Sequence, residues 1–408
     1  MGSRNMKNKI LVLAVAALFT PIVQATTFGT DVNNTVLPAT GGMGGASIAR
    51  TVEGAAAVFG NPANLTQYKE GTTFTFGATF LDPQIKVKAP TWRGTSNADN
   101  YLIPTVSVTQ GLGGIGFENL VLGMGLTATG AGSDFRSVPG SGGGNGEVVI
   151  FMANVGAGYQ VTDNLSLGLM ATIGNGYAQA SLNSNSSSAH AYGLRATVGA
   201  TYDMGATSIG GYYRSPLKIT YDDYIANGSG GFWDDAWQQP QEFAIGVSNN
   251  SLMGGDLLIS ADVIHKDYSG ADFYKDFFRD QTVFALGGQL TTGKAQWRLG
   301  YTHARDPIKR NLDPGVIGIG NNYVIGGIGA PGTPLPVTGA IVEYFQATNA
   351  AAVWEHSFSA GVGYQVLPML RVDAHGAFAP KEKQTIAGTY DVEASNWQAG
   401  VGFTWNFK

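Results

Sequence analysis

The sequence predicts an all-β protein, a transmembrane antiparallel β-barrel of about 14 strands, with an N-terminal segment plugging its interior. Three observations point there. Apolar and small or polar residues alternate in runs of strand length. The connections between those runs are short and long by turns. Beyond the first 25 positions, no stretch of about twenty apolar residues occurs, so membrane-spanning helices are excluded.

Composition agrees. Charged residues are 13% of the 408, against roughly 25% in soluble globular chains. Glycine, at 59 residues, is about twice its usual share. Because 44% of residues are hydrophobic and 11% aromatic, the chain is not a disordered polymer. A net charge of −5 without a basic block offers nothing to nucleic acid. The absence of cysteine removes disulfide frameworks and thiolate metal sites. No cofactor or metal is expected, and His190, His265, His303, His356 and His375 fall in no metal or nucleophile motif.

Residues 1–25 read as a secretory signal. Arg4, Lys7 and Lys9 flank an apolar core from Ile10 to Phe19, and Val23-Gln24-Ala25 is a small-residue cleavage site. The apolar core is too short to span a bilayer. Residues 26–70 lack strand alternation yet are too apolar for a free linker, and residues 71–408 carry the barrel pattern. Within residues 39–65, no strand precedes the glycines and no GK[ST] follows them, which disfavours a phosphate loop.

Strands are expected near 72–88, 101–110, 119–129, 147–160, 164–181, 191–203, 206–221, 240–250, 255–267, 281–291, 294–305, 353–366, 369–382 and 395–407. The last is the clearest: Trp397, Ala399, Val401, Phe403, Trp405 and Phe407 alternate with Gln398, Gly400, Gly402, Thr404, Asn406 and Lys408. Successive strand side chains point to opposite faces, so each run has one apolar and one small or polar wall. A soluble sandwich shows the same alternation, but its polar face would be solvated by Lys and Glu. Here that face is rich in Gly, Ser and Thr, and Tyr159, Tyr202, Tyr364 and Trp405 recur near strand ends as in interfacial girdles.

Short turns such as Asp163-Asn164, Thr292-Gly293 and Leu367-Pro368 alternate with long external loops at 89–100, 131–146, 182–190, 222–239, 268–280, 306–352 and 383–394. Two of these loops are aromatic. One holds Phe232, Trp233 and Trp237; the other holds Phe273, Tyr274, Phe277 and Phe278. Such clusters form binding surfaces, or pack on one another to close the mouth. Arg195, Arg298, Arg371, Asp262, Asp373 and His375 fall on the inward parity of their strands. They either hold an anionic ligand or pair among themselves and with plug residues such as Arg50 and Glu53. Arg214 and Lys218, near the outer end of their strand, are further carboxylate-contact candidates.

The run Gly41-Gly42-Met43-Gly44-Gly45-Ala46-Ser47, then Glu53-Gly54-Ala55-Ala56 and Asn61-Pro62-Ala63-Asn64-Leu65, resembles the N-terminal hatch of the FadL/TodX family. These are outer-membrane transporters of long-chain fatty acids and other hydrophobic compounds. The segments Phe74 to Pro83, Tyr213 to Lys218, Ala285-Leu286-Gly287 and Trp297 to Tyr301 extend the likeness over most of residues 28–408. It implies a monomeric barrel of fourteen strands, an interior hatch, and a wall opening at an inward kink of the third strand. That strand is Asn119 to Thr129 here, with Gly123 and Gly125 as kink points, and Asn61-Pro62-Ala63 beside the opening. It also implies passive uptake of a hydrophobic solute, contact with outer-membrane lipid and lipopolysaccharide, and insertion by the outer-membrane assembly machinery. The alternating aromatics before Phe407 resemble the signature that machinery reads, with Lys408 one residue beyond it. A general aqueous porin is the alternative, an outer-membrane hydrolase a more remote one.

Overall fold

A computed structural model describes residues 35–180, 189–226, 231–276, 278–310, 339–349 and 353–407. Residues 1–25, expected to be a secretory signal, and Phe277 lie outside the described residues. Strands β1 (Thr72–Lys88), β2 (Arg93–Thr95), β3 (Tyr101–Leu112), β4 (Phe117–Asp134), β5 (Asn145–Gln160) and β6 (Leu165–Ala180) lead into β7 (Ala189–Met204), β8 (Thr207–Arg214), β9 (Leu217–Ala226) and β10 (Phe232–Gln239). Then follow β11 (Gln241–Leu252), β12 (Leu257–Asp267), β13 (Gln281–Thr292), β14 (Ala295–Ala304), β15 (His356–Leu367), β16 (Leu370–Ile386) and β17 (Tyr390–Phe407). Apart from β2, β9 and β10, they form one antiparallel wall in chain order, and β17 pairs back onto β1 to give a closed barrel of fourteen strands.

Several boundaries differ from the sequence reading: β4 runs on to Asp134 rather than ending at Thr129, and β2 lies within the expected 89–100 loop. The strand expected over 206–221 divides: β8 leaves the wall at Arg214, followed by Ser215-Pro216, and Leu217 onward pairs with β10 instead. A proline N supplies no ladder donor, so this is a natural place to leave a sheet. Most of the 222–239 loop is consequently the hairpin β9–β10. The 383–394 loop is mostly strand as well, since β16 and β17 stay paired out to Ile386↔Tyr390 around a turn at Ala387 and Gly388, both at positive φ.

The wall is inside-out relative to a soluble protein. On β4, Leu122, Met124 and Leu126 are exposed, as are Ile245 and Val247 on β11 and Trp297 and Leu299 on β14. Only a hydrocarbon solvent stabilises such a belt, and only closure satisfies the backbone there. The alternate residues meet residues 35–71, which fold inside the barrel. This segment comprises a 3-10 turn (Thr40–Met43), helix α1 (Gly54–Phe59) and a 3-10 helix (Pro62–Tyr68). Glycine abundance now has a cause. A Cβ on Gly42 would come within 2.9 Å of the Gly361 Cα, and one on Gly361 within 3.0 Å of the Gly42 Cα. Plug and wall therefore touch backbone to backbone.

The largest apolar cluster is not beside the plug. It lies at the outer mouth, where Tyr221, Trp237, Tyr268, Phe273, Phe278 and Phe345 pack together, the last from helix α2 (Gly339–Thr348). This cap is separate from the inner cluster of Leu37, Val58, Phe59 and Leu65 with Val121 and Met170.

Candidate functional site

The inward-facing charges divide into two groups. One anchors the N-terminal segment. Asp373, fully buried, accepts from Arg298 at 2.8 Å on one carboxylate oxygen and from Arg371 at 2.8 Å on the other. Arg371 also donates to the Val52 carbonyl at 2.9 Å. Asp262 accepts the backbone N–H groups of Ser47 and Ile48, and His375 donates through Nδ1 to the Pro38 carbonyl at 3.1 Å. Glu53 Oε1 accepts the N–H groups of Ala39 and Thr40, while burial, with the Asp373 charge adding to it, pushes its carboxyl above the usual range. Arg298 and Arg371, two sequence candidates for ligand contact, are thus engaged in holding the plug. Arg195, on the same inward parity, is not part of that anchor.

Arg195 and Arg214 belong to the second group, on the plug's outer side. Arg214 binds Glu242 at 2.9 Å, donates to the Phe59 carbonyl at the end of α1 at 2.6 Å, and stacks on Tyr212. Lys266 approaches Glu242 at 3.6 Å. Two small cavities meet at Glu242 and Lys266. One runs past Gly44, Tyr212, Arg214 and Thr302. The other is lined by Thr129, Ile150, Met152, Arg195 and Leu217. Arg214 and Lys266 both reach Glu242, and Arg195 lines the same cavity beside apolar walls, a grouping of cations suited to an anionic head with an apolar tail. Glu242 and Lys266 escaped the sequence reading; their signal was a charge on the inward parity of β11 and β12.

The wall is interrupted between β3 and β4. Their ladder runs inward from Val106↔Leu126. Outward of that pair, Tyr101 to Thr105 stay paired with β1, and Thr127 to Asp134 with β5. No ladder pair joins them there among the described residues. Pro104 explains part of this. Its carbonyl accepts from Thr127 Oγ1 at 3.2 Å, so its missing N–H is on the β4 side. At the outer end β4 is tied to the segment between β2 and β3, as Asn97 N donates to the Asp134 carbonyl and Asp134 N to Ser96 Oγ. Thr129 lies on this seam and also lines the inner cavity.

Several expected positions are placed otherwise. Gly123 and Gly125 lie inward of the seam as close-approach sites. A Cβ at Gly125 would come 2.8 Å from the Phe59 ring, and one at Gly123 would come 2.6 Å from Leu65. Asn61, Pro62 and Ala63 do not flank the seam. Asn61 Nδ2 donates to the Ile48 and Ala200 carbonyls and to Thr201 Oγ1, and Pro62 and Ala63 press on Gly168, which sets the trio against β6 and β7. Trp237, Phe273, Tyr274 and Phe278 are enclosed rather than displayed. Trp237 is 2% exposed and stacks on Phe273 at 4.2 Å, and Phe278 is 1% exposed. Phe232 is 39% exposed. Trp233 lies on β10, and the exposed Lys218 pairs with Asp272 at 3.3 Å.

No protein-family model matches the chain, and no curated protein matches it significantly by sequence. Solved structures do. The Pseudomonas putida toluene transporter TodX superposes with a TM-score of 0.62 at 15% identity, covering 91% of this chain and 98% of its own. The CymD monoaromatic hydrocarbon channel gives 0.61 at 17% identity over 94% and 99%. A Pseudomonas aeruginosa FadL homologue gives 0.64 at 13% identity over 95% and 100%. The protein has the fold of the FadL/TodX channels, a closed β-barrel whose outer belt is apolar. The likeness first read from the glycine-rich N-terminal run is supported across nearly the full length of those chains.

Proposed function

We propose that the protein is an outer-membrane channel for passive uptake of hydrophobic molecules bearing an anionic head, long-chain fatty acids foremost, with lateral release through the β3–β4 seam into the membrane. The observation that carries this reading is the seam itself. Its two strands run on unpaired with each other while each stays paired on its other side. The cap aromatics offer the first apolar environment, where each methylene taken from water gains about 0.8 kcal/mol. The corner of Arg195, Arg214, Lys266 and Glu242 then receives the head. Movement of the hatch, residues 35–71, lets the tail reach Thr129 and the seam.

A second reading, neutral aromatic hydrocarbons, is favoured by the names of two similar structures, a toluene transporter and a monoaromatic hydrocarbon channel. An aqueous porin fits less well, because the buried segment from Val36 to Leu65 occupies the lumen. The test is uptake of oleate and of toluene by a host lacking its own fatty-acid transporter. Restored oleate uptake is expected, reduced about tenfold or more by Thr129→Trp, which fills the seam without touching a charge; a 1.4 kcal/mol barrier suffices for that factor. Rescue of toluene alone would favour the second reading, and rescue of neither solute would refute the proposal.

A further inference from the structure

Strands β1, β16 and β17 are 17, 17 and 18 residues long, whereas about ten residues cross the hydrocarbon layer. Their outer ends, with β2, therefore stand above the membrane as a four-stranded sheet. Its inner face carries Ile85, Val87, Val392 and Ala394 into the cap. The outer face is left to the environment, and its chemistry is distinctive. Cross-strand pairing places Arg93 beside Lys88, Lys88 beside Asp391, Lys86 beside Glu393, and Glu393 beside Lys383. Lys381 joins from the β16 bulge, reaching Glu393 at 3.2 Å, while Lys383 reaches it at 2.8 Å. Five cations thus face two carboxylates, in a chain whose net charge is −5. Glu393 is shared by Lys381 and Lys383.

An aromatic belt lies directly beneath. Four residues inward along β17, about 13 Å of strand, Trp397 is exposed and packs on Phe80 at 5.1 Å. Phe378 and Phe358 continue that row on β16 and β15, each 54% exposed. Asp82, at the level of the row, is taken up by the Trp397 indole at 2.7 Å. Such a belt marks the level at which acyl chains give way to headgroups. The cations spread across four strands, on the order of 14 Å, at headgroup height.

We infer that the outer face of the β2-β1-β17-β16 sheet is a binding site for lipopolysaccharide, the phosphorylated glycolipid of the outer leaflet. Its phosphates lie on Arg93, Lys86, Lys88, Lys381 and Lys383, and its acyl chains along Phe80, Trp397, Phe378 and Phe358. Charge complementarity selects the occupant, because a zwitterionic headgroup would leave the surplus cations unmatched. The site rests on the outer-membrane placement of the barrel and is independent of what the lumen carries.

The experiment uses the full chain refolded into phosphatidylcholine vesicles, with insertion followed by heat-shifted electrophoretic mobility. Diphosphorylated lipid A, its dephosphorylated form and inorganic pyrophosphate are titrated against the Trp fluorescence of the protein and of the variant Lys86→Gln/Lys88→Gln/Lys383→Gln. All three lysines are exposed, so the variant is expected to insert normally. Affinity for diphosphorylated lipid A should fall by about fivefold per lysine removed, while Lys294→Gln, in a turn at the opposite end, should leave it unchanged. Equal binding by the triple variant, or of dephosphorylated lipid A, overturns the site. Pyrophosphate binding as tight as that of lipid A would make it an anion patch and overturn the assignment to lipid. Failure of the unmodified chain to insert would instead strike the membrane placement.

Discussion

The N-terminal hatch and the outer cap occlude the same lumen with opposite chemistry. The hatch is built from small residues and held by directional bonds: Asp262 on two N–H groups, Arg371 on the Val52 carbonyl, and Arg214 on the end of α1. The cap is held by aromatic burial, with Trp237, Phe273, Tyr221 and Tyr224 stacked or edge-on. Directional contacts have definite donors and acceptors and break in discrete steps. Apolar contacts are non-directional, so a hydrophobic solute can replace one aromatic neighbour with its own surface at little cost. On the proposed reading, the cap would admit the solute and the hatch would respond to it.

Deleting residues 26–65 should break the comparison most severely. The barrel closes through β1 and β17 without them, so it is expected to insert and to show ion-conducting steps in a planar bilayer that the intact protein lacks. Silence of the truncated barrel would assign the seal to the cap. Next comes Asp373→Ala, which leaves Arg298 and Arg371 buried together without their shared carboxylate. Stripping a buried ion network of one partner costs about 3–5 kcal/mol, to be read from urea unfolding in vesicles. A loss below about 1 kcal/mol would place the trio with ordinary surface pairs.

Truncating the cap should be felt more locally. Trp237→Ala removes a large buried ring, a change worth about 3–5 kcal/mol in a core, and most of that is expected as faster hydrogen exchange in β9 and β10. Conductance should stay at the intact level, and a leak would contradict the division of labour between the two closures. The smallest effect concerns pH at Glu53. Its pKa is raised in the folded hatch by burial, so the folded state holds the proton more tightly than the unfolded chain. Hatch docking should then be strongest below the unfolded value of 4.5 and weaken as pH rises through the elevated one. Conductance measured against pH would reveal the slope, and Glu53→Gln should flatten it.

Much of the fold was legible in the residues. Trp397, Ala399, Val401, Phe403, Trp405 and Phe407 share a face because strand geometry has a period of two, and neither partner nor context is needed to see it. Lipid outside and small residues inside follow from the same pattern. The departure at Ser215-Pro216 and the seam at Pro104 were also written locally, each as a proline lacking an N–H, but a proline does not state which neighbour it fails to bond. The site was less legible. Inward parity marked Arg298, Arg371 and Asp373 as lumen charges without distinguishing a ligand contact from a mutual pair. Parity says which face a side chain joins, not what stands opposite.

By itself, the sequence determined the closed β-barrel, the count of its strands, the inward segment at its start and the exposed apolar belt, since all are set by local periodicity and composition. Tertiary structure alone decided that Arg214 caps α1, that Glu242 and Lys266 join it beside Arg195, that Asn61 rests on β7, and that Trp237, Phe273, Tyr274 and Phe278 turn inward to form a cap. Those arrangements depend on contacts between residues far apart in the chain, and their energies arise only when closure of the barrel brings the two sides together.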